Sequence, residues 1–108
     1  MGKKIRVLVK EPGKNPKERF VENTLVSLQN VVDGFVETVT LSKDLVILCN
    51  ENGRNLGLPY NCTVCGVSLC GTIMMCGVNG DSFDDLPISW SDIKIVFARL
   101  WTEADEKE

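Results

Sequence analysis

The stretch Gly71-Thr72-Ile73-Met74-Met75-Cys76-Gly77-Val78 carries no charge and has glycines near both ends. It is too short to cross a bilayer, which takes about 20 apolar residues. Its apolar residues are consecutive, not alternating, so it reads as a strand buried on both sides in the middle of a sheet. Asn79-Gly80-Asp81 follows as a strong turn. The rest of the chain is read as what surrounds this strand.

Lys4 to Lys10 alternates, with Ile5, Val7 and Val9 on one face, as a half-buried strand does. Pro12, Gly13 and Pro16 then predict a loop. Leu25, Leu28 and Val32 are spaced for a short amphipathic helix, with Asn23 as its N-cap and Gly34 as the left-handed residue after it. Phe35 to Leu41 and Asp44 to Asn50 predict two antiparallel strands joined at Ser42-Lys43. Asn52-Gly53 is a turn, and Arg54 to Asn61 an irregular connection. Near the C-terminus, Ser89 is placed to cap a helix with Asp92 at its third position. Ile88 and Ile93 can form a staple, and Ile93, Val96, Phe97 and Leu100 form its apolar stripe. The expected fold is α+β: a mixed sheet of about four strands with two helices packed on one face, in the order β-α-β-β-loop-β-α.

At 108 residues, with 44% hydrophobic and 25% charged residues, the chain is expected to be a single domain over residues 1–108, ending in a solvated, frayed tail at Glu103 to Glu108. No apolar run predicts a membrane span, and the basic start lacks the pattern of a signal peptide. A cytoplasmic location is therefore expected. Fifteen acidic against twelve basic residues give a net charge of −3, too little positive charge for nonspecific nucleic-acid binding.

The chain has no histidine, which removes the commonest general base and the commonest nitrogen metal ligand. No phosphate-loop motif occurs; Gly53-Arg54-Asn55-Leu56-Gly57 lacks the helix that would follow one. Asn79, Asp81, Asp84 and Asp85 lack calcium-loop spacing, and Glu11 has no carboxylate partner. A non-enzymatic protein with no cofactor is expected. The alternative is a cysteine-based zinc or redox module on Cys62, Cys65, Cys70 and Cys76. The first pair has zinc spacing and the second does not. Val64 to Leu69 offers a single glycine for the turn a metal cage would need, so structural thiols are favoured.

Glu11-Pro12-Gly13, Glu22-Asn23-Thr24-Leu25, Leu28-Gln29, Gly34, Leu48-Cys49-Asn50-Glu51, Gly53, Gly57-Leu58-Pro59, Asn61, Gly71-Thr72, Gly77 and Phe83 follow one another in this order along about 80 residues. In this the chain resembles a family of uncharacterised small proteins from phages and conjugative elements, some encoded beside anti-restriction genes. The resemblance implies an accessory protein of a mobile genetic element that binds a protein or a small ligand. Its members are not usually cysteine-rich between residues 60 and 70, so zinc would be particular to this chain. The candidate ligand-binding residues are Asn50, Arg54, Pro59 and Asn61, polar or rigid groups around one loop region.

Overall fold

The computed structural model describes residues 3–100, so the expected frayed tail lies outside the described residues. Eight strands are present: β1 (Lys4–Lys10), β2 (Lys17–Glu22), β3 (Val36–Ser42), β4 (Leu45–Asn50), β5 (Tyr60–Val64), β6 (Val67–Cys70), β7 (Ile73–Asn79) and β8 (Ser82–Asp84). There are two α-helices, α1 (Leu25–Val32) and α2 (Trp90–Val96), and a short 3-10 helix follows α2 at Ala98–Leu100. The α+β class holds. The main sheet has six strands instead of four, in the order β2-β1-β7-β4-β3, with β8 also on β7; β5 and β6 form a separate hairpin. Every pairing among the described residues is antiparallel, so the sheet is not mixed.

β7 is central, and Ile73 to Gly77 are buried on both faces. Its alternation divides the interior in two. Ile73 and Met75 join Leu8, Ile47, Leu86, Ile93 and Leu100 on one side; Met74 and Cys76 join Ile5, Val7, Val46, Leu48 and Leu28 on the other. Leu28 belongs to α1 and Ile93 to α2, so the helices lie on opposite faces of the sheet. The expectation of one shared face is corrected. A strand with apolar side chains on both sides leaves two faces to be covered, and one helix layer covers only one.

The helix boundaries follow local chemistry. Thr24, not Asn23, caps α1, its hydroxyl accepting from Ser27 N–H at 3.2 Å. The Asn23 side chain instead donates to the Phe83 carbonyl at 2.8 Å. At the other end Asp33, not Gly34, takes the left-handed conformation (φ 59°). Gly34 has a different reason to be glycine: a Cβ there would run into the Asn50 amide. α2 begins as expected, with Ser89 Oγ accepting from Asp92 N–H at 3.2 Å. Its stripe is narrower than expected. Ile93 is buried and Phe97 and Ile88 pack beside it, but Val96 is 64% exposed.

β1 pairs with β7 only at Leu8 to Lys10, and β8 takes the place beside Gly77. Arg6 fastens this junction. Its backbone N–H donates to Asp85 Oδ1 and its carbonyl accepts from Leu86 N–H, both at 2.7 Å. Its guanidinium donates to the carbonyls of Leu86 and Ile88, each at 2.7 Å, and pairs with Glu18 at 3.0 Å. The planar fork of arginine suits such divergent acceptors.

Candidate functional site

Between the β3–β4 end of the sheet and the β5–β6 hairpin lies a groove of about 440 Å³. Cys49 and Leu69 are buried and Val39 half-buried, so they form its floor. Glu37, Glu51, Arg54 and Asn55 are exposed around the rim. The 51–57 turns that carry Arg54 are held close to the hairpin, because Gly53 lies against the Cys70 carbonyl, where a Cβ would come within 2.8 Å. Two acidic side chains and a cation thus face an apolar floor, an arrangement suited to a polar ligand with a small apolar part.

Of the four candidate residues, Asn50 and Arg54 line this groove and Pro59 and Asn61 do not. Asn50 is structural in its polar atoms. Its Nδ2 donates to the carbonyls of Val32 (3.2 Å) and Asp33 (2.9 Å), and its Oδ1 accepts from Asn52 N–H (2.8 Å). It therefore closes the exposed C-terminal carbonyls of α1. Arg54 is the candidate left facing the groove with an exposed side chain. Pro59 accepts from Gly71 N–H at 2.7 Å through its carbonyl, tying the residue before β5 to the residue after β6.

Asn61 is the extra residue of a bulge, since Tyr60 pairs with Cys70 and Cys62 with Leu69. The bulge turns its amide inward, where Nδ2 donates to the carbonyls of Lys10 and Gly71, each at 2.8 Å. Reversing the amide would set its oxygen against two acceptors, so the orientation is fixed. Oδ1 is left buried without a protein partner. Asn61 also lines a smaller hollow with Tyr60, Thr63 and Arg99.

The cysteines do not converge. Cys62 faces the α2 side of the sheet, Cys76 faces the α1 side, and Cys65 is exposed at the hairpin tip. Cys65 and Gly66 both take positive φ (51° and 79°) between paired Val64 and Val67, a two-residue turn of the kind β-hairpins favour. The turn that Val64 to Leu69 looked too poor in glycine to make is therefore made, and it moves Cys65 away from Cys76. Among the described residues no three acidic, cysteine or histidine side chains are grouped to hold a metal.

Burial pushes the Cys76 thiol up to about 12. Burial, and then the nearby Glu37 carboxylate, push Cys49 up to about 11. Burial also raises Cys62, with the charge of buried Lys10 working against it. A raised thiol pKa favours the protonated folded form. Its stabilisation is full below the ordinary thiol value of 9.0 and is lost as pH rises toward about 11 to 12. The melting temperature should accordingly fall through that alkaline window. At neutral pH a thiol reagent should label Cys65 first and Cys49, Cys62 and Cys76 only on unfolding, as peptide mapping would show. Zinc should be well below stoichiometric after dialysis; one tightly held zinc per chain, lost in Cys62→Ser, would overturn this assignment.

Fold and groove together define an antiparallel α+β domain with a polar-rimmed cleft at one end of its sheet. The chain belongs to the family described as a domain of unknown function, DUF3846, whose model matches residues 5–97. No curated protein and no solved structure matches it. Sequence reasoning missed Arg6, Glu37 and Glu51. Arg6 and Glu37 look like the polar half of alternating strands, and Glu51 like a turn residue. No described helix is long and apolar enough to cross a membrane.

Proposed function

We propose that this domain is a non-enzymatic binding module, acting as an accessory protein of a mobile genetic element and taking a small polar ligand or a short protein segment in the groove beside β3. The groove carries the reading: Arg54, Glu37 and Glu51 line it together with Val39, Cys49 and Leu69. A rim bearing both charges selects a ligand that presents both a donor and an acceptor. The link to mobile elements rests on the sequence resemblance, and the cytoplasmic setting on the sequence reading alone. No general base is placed by a histidine, and the raised pKa of Cys49 makes it a poor nucleophile at neutral pH.

Amide shift mapping with a panel of polar fragments tests the site. Perturbations should concentrate at residues 37–39, 49–55 and 67–70, and Arg54→Ala should weaken the best fragment about tenfold, as loss of one charged hydrogen bond implies. Arg54 is exposed, so its removal should leave the melting temperature nearly unchanged. Fragments that perturb other residues, or bind equally after Arg54→Ala, would reject the groove as the site.

A further inference from the structure

The six-stranded sheet ends in two edge strands of opposite character, β2 and β3. β2 carries Lys17, Glu18, Arg19 and Glu22 within six residues, the charge that commonly protects an edge from pairing. β3 carries a single charge, Glu37, within seven, and four β-branched residues: Val36, Thr38, Val39 and Thr40. Its irregularity lies between Thr40 and Ser42, so Val36 to Thr40 run regularly along β4 and leave a regular open edge. Phe35, immediately before it, is 66% exposed.

We propose that β3 is a homodimer contact, two copies of this chain pairing antiparallel about a two-fold axis at Thr38. In that register Thr38 meets its own counterpart, Glu37 meets Val39, and Val36 meets Thr40. Each is read against the second copy. No like charges are opposed, and the Thr38 pair can hydrogen-bond. The sequence of this edge is thus complementary to itself. A closed two-fold contact leaves the charged β2 strands as both ends of the joined sheet, whereas β3 pairing on β2 would repeat without closing. The proposal stands on the edge itself and not on the groove, although Glu37 and Val39 belong to both.

Sedimentation equilibrium from micromolar to near-millimolar protein tests it, with no ligand added. The average mass should rise toward twofold with concentration. Thr38→Lys, at an exposed position, should hold the protein at the monomer mass by placing two like charges at the axis. Mixing Thr38→Lys with Thr38→Glu should restore the dimer mass. Circular dichroism melting establishes that both variants are folded, and the wild-type series decides the matter if either is not. A wild type that stays monomeric, a Thr38→Lys variant that dimerises like wild type, a mixture that stays monomeric, or a mass that climbs beyond two copies would each overturn the two-fold β3 contact.

Discussion

Ile93→Asp should abolish the cooperative thermal transition. Ile93 is fully buried, on the face of the sheet where Leu8, Ile47, Ile73, Met75, Leu86 and Leu100 also lie. The members of that cluster are apolar, so a carboxylate there is either desolvated or protonated at a cost. The loss is several kcal/mol, against a total stability of about 5–15 kcal/mol for a typical domain. Circular dichroism melting and near-ultraviolet signals from Trp90 should both collapse. Cooperative melting near the parent temperature would show that α2 is a peripheral element.

Gly77→Ala should cost about 3 kcal/mol and lower the melting temperature by roughly 10–20 °C, a large effect for one methyl group. The reason is space. A Cβ at Gly77 would overlap the Asp85 carbonyl oxygen, where the chain leaving β8 crosses β7. That crossing has little room to retreat, because Arg6 holds both sides of the Leu86 peptide bonding and the Ile88 carbonyl as well. Gly13→Ala is the comparison: Gly13 has positive φ (77°) but nothing within 4 Å of a Cβ. It should lose only about 1 kcal/mol from the left-handed conformation. Equal losses at the two positions would mean that the crossing yields and that the contact is not tight.

The sequence identified elements whose signal is local. β1, β4, β7 and the start of α2 were legible because alternation, an apolar run and a serine cap each act within a few residues. β2 escaped because Lys17 to Glu22 is largely charged; as an edge strand it needs only Val21 buried. β5 and β6 escaped because their turn uses Cys65 in a left-handed conformation, which cysteine composition does not announce. Asn50 and Arg54 were found as one loop group, yet they do different work: one amide is committed to the end of α1, the other side chain faces the groove.

The α+β class, the buried central strand and the Ser89 cap were therefore fixed by the order of residues, since hydrophobic period and capping chemistry are properties of short segments. The placement of the helices on opposite faces, the crossing of the chain after β8 over Gly77 and the groove between β3 and the hairpin were decided only in three dimensions. They depend on which side of β7 each distant segment covers, and Arg6 meets Leu86 and Ile88 across 80 and 82 positions of chain. No local pattern encodes such contacts; they exist because burying both faces of one strand requires them.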